Sequence, residues 1–304
     1  MRRIVTVAVV SGLVAFAVTA ASAEESGGQT HFKSPTAAVQ ALVAAARAGD
    51  RPKMLAILGP EGEPLVESGD DVEDAAERRR FVAMASQRTT FETLSDGTVI
   101  AHLGRAATPL AIPLVKDGDA WRFDTAAGKD ELLNRRIGRN ELSVIAALRA
   151  YVDAQLQYAR RDPGNVFAQK IRSEPGQHDG LYWESRSGTD ESPLGPLFAG
   201  AAAEGYALND PSAATQPFHG YFFRTLTAQG DNAPGGAQNY VKDGKMTGGF
   251  AMVAWPAEYG QSGVMTFLVN RQGIVFEKDI GAQTADLVKA MTTYDPDKTW
   301  LPTR

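Results

Sequence analysis

Four histidines, His31, His102, His178 and His219, are the side chains best suited to ligate a metal or to move a proton near neutral pH. None belongs to an HExxH or HxH pair, and they are spread over both halves of the chain. A zinc or non-haem iron site would need them to converge in space with carboxylates. The chain has no Cys, which removes thiolate ligands, thiol catalysis and disulfides. No metal and no cofactor is therefore expected. His178-Asp179 puts a carboxylate beside an imidazole, which would orient it and raise its basicity. Adjacent residues usually point apart, so a loop is the plainer reading. Serine chemistry needs an activated hydroxyl, a base and an oxyanion hole. Gly260-Gln261-Ser262-Gly263 departs from GxSxG and leads into a strand, so it reads as a turn.

The acids Asp70-Asp71 and Glu73-Asp74 read as a loop followed by an acidic first helical turn, where the helix dipole favours negative charge. GxxxxGK[ST] and GxGxxG do not occur, so the simple nucleotide-binding readings fall away. Arg135-Arg136 and Arg139, ahead of Glu141, suit either an anion or an ion pair between domains, and the ion pair is the plainer reading. In the second half, Tyr182, Trp183, Phe218, His219, Tyr221, Trp255 and Tyr259 gather in Gly/Pro-rich loops and at strand ends. Such side chains either fill the core under a long loop or form a surface for a sugar, a peptide or another protein. As a binding surface, the candidate residues are Tyr182, Trp183, His219, Tyr221, Trp255 and Tyr259. The turn-rich run Trp255-Pro256-Ala257-Glu258-Tyr259-Gly260 is the one most suited to exposure.

The elements that position these residues follow from caps and periodicity. Ser34-Pro35 starts a helix over 36–48 that stops at Gly49, and Asp50 caps a second over 51–58. Residues 61–71 read as a loop and 72–87 as a third helix. The period then shortens to two: strands are predicted over 89–94, 98–103, 110–116 and 120–124, with Ser95-Asp96-Gly97 and Asp117-Gly118 as turns. Helical segments follow at 129–136 and 140–161, the second with a core-facing stripe through Leu142, Ile145, Leu148 and Val152. Residues 162–217 read as a loop-dominated connection with a short helix over 197–204. Strands are predicted at 220–229, 249–255, 264–270 and 274–280, and a closing helix at 285–291.

The chain has 304 residues and a formal net charge of −5, which suits two domains and disfavours a protein that grips nucleic-acid backbones. Met1-Arg2-Arg3, an uncharged apolar run to Thr19 and Ala21-Ser22-Ala23 together read as a secretory signal peptide cleaved after residue 23. Export to the periplasm is expected, with a flexible leader over 24–33 and no membrane insertion after cleavage. The expected class is α+β, with two domains that each place helices before an antiparallel meander. Residues 34–128 form the first domain, 129–161 the connecting helices and 162–304 the second.

Three resemblances add to this reading. The runs Phe123–Gly128, Asn134–Glu141, Asp179–Trp183, Pro256–Gly260 and Ser262–Phe267 resemble an exported bacterial family known only as domain of unknown function 2950. That resemblance covers the whole mature chain and implies no activity. The helices-then-curled-sheet order over about residues 32–128 resembles the nuclear-transport-factor-2-like cone, a fold whose pocket hosts catalysis in other proteins. From Asn140 onward, the long helix, Ser192-Pro193-Leu194-Gly195 and Gly220-Tyr221-Phe222-Phe223-Arg224-Thr225-Leu226-Thr227 resemble type IV pilin and pseudopilin headgroups. The filament-forming helix of pilins is replaced here by the first domain. The expected function is a non-enzymatic binding or envelope-assembly module with another envelope protein as partner. The alternatives are a hydrolase with its site in the cone pocket or interdomain cleft, and a pilin-like assembly component.

Overall fold

The computed structural model describes residues 25–26, 28–161, 163–184, 190–207 and 216–303. The apolar run and cleavage pattern of residues 1–23 lie outside them. Helices and antiparallel sheets make up an α+β molecule. Helix α1 (Pro35–Ala48) begins on Ser34, whose hydroxyl accepts from Ala37 N at 3.2 Å, and ends on Gly49 at φ 66°. Asp50 caps α2 (Arg51–Leu58) through Lys53 N at 3.1 Å. The stretch read as a loop holds a 3₁₀ turn (Pro60–Gly62) and the short α3 (Glu63–Val66). Asp70 then caps α4 (Asp71–Gln87), its Oδ1 accepting from Val72 N and Glu73 N at 3.1 Å each.

Strands β1 (Thr89–Thr93), β2 (Val99–Leu103), β3 (Thr108–Pro109), β4 (Leu114–Asp117) and β5 (Ala120–Phe123) form one sheet. Its order is β1-β2-β4-β5, with β3 against β2, and every pairing is antiparallel. Its buried residues join those of α1 and α2 in one core, with Leu42, Ile57, Leu114 and Phe123 at its centre.

The segments predicted at 129–136 and 140–161 are a single helix, α5 (Thr125–Ala159), of 35 residues and about 52 Å. Gly138 does not interrupt it. A glycine costs a helix about 1 kcal/mol, and here Arg136 and Asn140 on either side are buried and bonded to other elements. The N-terminal part of α5 packs on the first sheet so closely that a Cβ at Gly128 would lie 2.3 Å from Ala111 O. Its later turns put Val144, Leu148, Tyr151 and Val152 into a second core.

That second core surrounds strands β6 (Tyr221–Leu226), β7 (Ala251–Pro256), β8 (Thr266–Asn270), β9 (Phe276–Lys278) and β10 (Leu301–Pro302), in that order and antiparallel throughout. Consecutive residues of β7 and β8 are buried, so both sheet faces are covered. Helix α5 packs on β8, and α7 (Thr284–Ala290) packs on β7. The Arg224 guanidinium donates to the carbonyls of Val288 and Met291 at the C-terminal end of α7. Helix α6 (Gly195–Glu204) lies in the connection between α5 and this sheet.

Candidate functional site

A cavity of about 580 Å³ lies among α1, α2, α4, α5 and the first sheet, a size within the roughly 300–1,000 Å³ usual for small-molecule pockets. Its apolar wall comes from Leu42 and Ala46 of α1, Met54 and Leu58 of α2, Leu103 of β2, and Leu110 and Ile112 before β4. Helix α4 supplies Asp74, Glu77, Arg78, Phe81 and Met84, a stripe at three- and four-residue spacing. Along that stripe the chemistry changes from charged at the N-terminal end to apolar at the C-terminal end.

The charged end is held in place by α5. Arg136, 2% exposed, donates to Pro64 O at 2.7 Å, Leu65 O at 2.8 Å and Glu77 Oε2 at 2.9 Å. Arg139 pairs with the same Glu77, Arg80 with Glu73 at 2.8 Å and Arg135 with Glu131 at 2.7 Å. Asp74 is 5% exposed and accepts from Ser68 N at 3.0 Å through Oδ2, but its Oδ1 is buried with no hydrogen-bond partner. Burial pushes its carboxyl above the ordinary 3.8. The Ser68 hydrogen bonds and the Arg136 charge oppose that shift, and Glu77 adds to it. Thr266 Oγ1 and Tyr294 OH are also buried without partners, in the region of the second sheet. Asp74 is among the residues that line the cavity, although Oδ1 itself has no open surface toward it.

Four residues away on the same segment, Asp70 ties the two cores together. Its Oδ2 accepts from Tyr206 OH at 2.9 Å and from Gly220 N at 2.8 Å. On α5, Asn140 Nδ2 donates to Ser262 O at 2.9 Å, and Glu141 Oε1 accepts from Val264 N at 3.0 Å and Met265 N at 2.9 Å. Gly263 leaves the space that Tyr221 fills: a Cβ there would lie 2.0 Å from the Tyr221 hydroxyl. The Asn134–Glu141, Pro256–Gly260 and Ser262–Phe267 runs therefore meet at this junction. Asp70 and Asp74 are connected to each other through Ser68, whose Oγ accepts from Asp70 N at 3.3 Å.

The aromatic candidates fall into three places. Trp183 is 6% exposed, stacks on His178 with ring centroids 4.3 Å apart and donates to Asp190 O at 3.1 Å, and the Arg161 guanidinium lies over its ring 4.8 Å from the centroid. Tyr182 stacks on Phe198 at 3.9 Å. Both border a polar hollow of about 400 Å³. At the junction, Tyr221 is fully buried and donates to Met265 O at 3.0 Å, and His219, at φ 49°, lies 3.3 Å from Glu204. Burial, with Glu141 beside it, pushes the Tyr221 hydroxyl up. On the sheet, Trp255 packs against Phe222 at 5.7 Å, and Tyr259 donates to Asp279 at 3.0 Å. Ser262 is fully buried, its Oγ bonded to the Glu258 backbone, so its hydroxyl has no route to a substrate. Among the described residues, no group of three His, Asp or Glu is placed to hold a metal ion.

Sequence reasoning passed over Asp74. It read the acid as one member of an acidic first helical turn, because only the partners of α4 show which face is covered. A signal was present in the Asp74–Arg78–Phe81–Met84 spacing, which puts a carboxyl on the same face as the apolar members of the helix. Among the described residues, no helix is long and apolar enough to cross a membrane. Neither a curated protein nor a solved structure matches this chain. The family model described as "Protein of unknown function (DUF2950)" matches residues 29–302, and the chain belongs to that family.

Proposed function

We propose that this is an exported small-molecule-binding protein of the cell envelope, with its ligand seated in the cavity beneath α4. The observation that carries this reading is the cavity itself, about 580 Å³, walled on one side by Leu42, Met54, Leu58, Phe81 and Leu103 and on the other by arginines of α4 and α5. The helices-before-sheet order behind the cone-like resemblance supports a pocket in this place. We read the chain as two domains, one per core, with α5 and the Asp70 and Glu141 bonds holding them together. Met1–Ala23 supports export, and protein recovered outside the inner membrane should begin at Glu24.

The test is a thermal-shift screen of small amphiphiles against the chain from residue 24, with Ala46→Met beside it to narrow the cavity. Binding should raise the Tm of the first and leave that of the folded variant unmoved. Equal shifts in both proteins would place the ligand elsewhere.

A further inference from the structure

A second space, of about 470 Å³, opens between α4, α5 and the end of α6. Val72, Ala76 and Arg79 line it, on the face of α4 opposite to Asp74, Arg78 and Phe81. Asn140 of α5 also lines it and is 2% exposed. The Ser262 carbonyl can only accept, so the Asn140 amide nitrogen must face it and the amide oxygen is turned away. That oxygen accepts no hydrogen bond among the described residues, and unlike Asp74 Oδ1 it is not sealed from solvent. Three guanidiniums share the wall: Arg80 is paired with Glu73 and Arg139 with Glu77, whereas Arg79 has no hydrogen bond or ion pair among the described residues. Two carboxyls join them, Glu73 and Glu204, the latter 3.3 Å from His219 Nε2. His219 takes a left-handed backbone at φ 49°, held by its N–H bond to Tyr206 OH at 3.1 Å and by the bond from Gly220 N to Asp70. That turn sets the imidazole on the cleft wall, and strain of this kind gathers at functional sites.

We infer that this cleft binds a small zwitterion, a short peptide with both termini free, its ammonium on Asn140 Oδ1 and beside Glu204 and its carboxylate on the Arg79 guanidinium. The site is separate from the cavity beneath α4 and does not depend on it. A buried acceptor with open surface calls for a donor from a ligand, and a free guanidinium matches a carboxylate in a two-point geometry. A plain anion would leave Asn140 unbonded and set its charge against Glu73 and Glu204. A plain amine would leave Arg79 unpaired and face the three guanidiniums. A neutral sugar would satisfy Asn140 but leave Arg79 unpaired. One charge of each sign in the same small molecule answers both ends of the wall. The volume lies within the roughly 300–1,000 Å³ usual for small-molecule sites.

The test is calorimetric titration, at low salt, of alanyl-alanine, its N-acetyl derivative and its C-terminal amide into the chain from residue 24. Alanyl-alanine should bind about tenfold more tightly than either derivative, the scale of one charge-assisted hydrogen bond. Arg79→Met should weaken alanyl-alanine about tenfold and leave the amide unchanged. Glu204→Gln should weaken it and leave the N-acetyl derivative unchanged, while Arg78→Met, on the opposite face of α4, should behave as wild type. Arg79 and Glu204 are exposed, so these variants should keep the fold, and circular dichroism checks that they do. In a nitrogen-labelled sample, the Asn140 side-chain amide resonance should move as alanyl-alanine is added. Equal binding of the three compounds, binding of none, or an Arg79→Met variant that holds alanyl-alanine as wild type does overturns the inference. A stationary Asn140 resonance overturns the placement of the ammonium. None of these outcomes bears on the apolar cavity, which the thermal-shift screen tests by itself.

Discussion

Strand β8 buries all five of its residues, whereas α4, with seventeen, buries only Glu73 and Asp74. The second core is closed on both faces of its sheet, and its large side chains, among them Tyr221, Tyr240, Phe250 and Phe267, are fully enclosed. The first core is filled under α1 and α2 but hollow under α4, whose Phe81, Val82 and Met84 stay partly exposed. Both regions follow the same rules of periodicity and capping. They differ in whether the enclosing element brings enough apolar volume to fill the space beneath it. Helix α4 brings a carboxyl and a guanidinium at two of its inward positions, so the space stays open. Incomplete packing with polar groups at its wall is what distinguishes a pocket from a core.

The largest expected effect tests the closed region. Gly263→Ala would drive a methyl into the Tyr221 ring and hydroxyl, where no flexible neighbour can yield. We expect a loss of about 4 kcal/mol or more, read as a collapse of the urea midpoint. Next comes a matched pair of truncations. Leu148→Ala, in a fully buried site, should cost about 3 kcal/mol. Phe81→Ala, at the edge of the cavity, should cost about 1 kcal/mol, well under the usual value for a buried Phe. Equal losses would contradict the contrast between the two cores. Glu141→Ala, which strips the acceptor from Val264 N and Met265 N, should cost about 2 kcal/mol and loosen the junction. Hydrogen exchange at those two amides reports it directly.

The smallest effect is the most diagnostic. The folded state holds the Asp74 proton to a higher pH than the unfolded chain, whose carboxyl titrates near 3.8. The stability that Asp74 contributes is thus full below that value and is lost as pH rises through the raised folded value. Asp74→Asn should therefore match wild type in acid and exceed its Tm at neutral pH. A variant less stable than wild type at neutral pH would mean that the ionised carboxylate is well accommodated.

Much of the fold is legible residue by residue. Ser34-Pro35 and Gly49 bound α1, Asp50 opens α2, and the Asp117-Gly118 turn lies between β4 and β5 because these choices depend on neighbours a few positions away. The stripe through Ile145, Leu148 and Val152 faces the core for the same reason, whereas Leu142, predicted as its first member, is exposed because no other element covers that turn of α5. The continuity of α5 through Gly138 is not legible, because it depends on Arg136 and Asn140 finding partners as far as 122 residues along the chain. Nor is the fate of the aromatic candidates, since Trp183, Tyr221 and Trp255 have similar turn-rich surroundings in sequence but different neighbours in space.

The sequence by itself determined the class of the molecule, its order of helices and strands, and its family, since capping, periodicity and motif runs are short-range properties written into successive residues. Tertiary structure decided which charges are exposed and which are buried. Asp70, Asp71, Glu73 and Asp74 look alike as a cluster, yet one is an N-cap that joins two cores, one is exposed, one pairs with Arg80, and one is bonded to Ser68 with its other oxygen buried and unbonded. Burial and partner choice arise from packing between elements distant in the chain. They fix the desolvation and hydrogen bonding that give each carboxyl its chemistry.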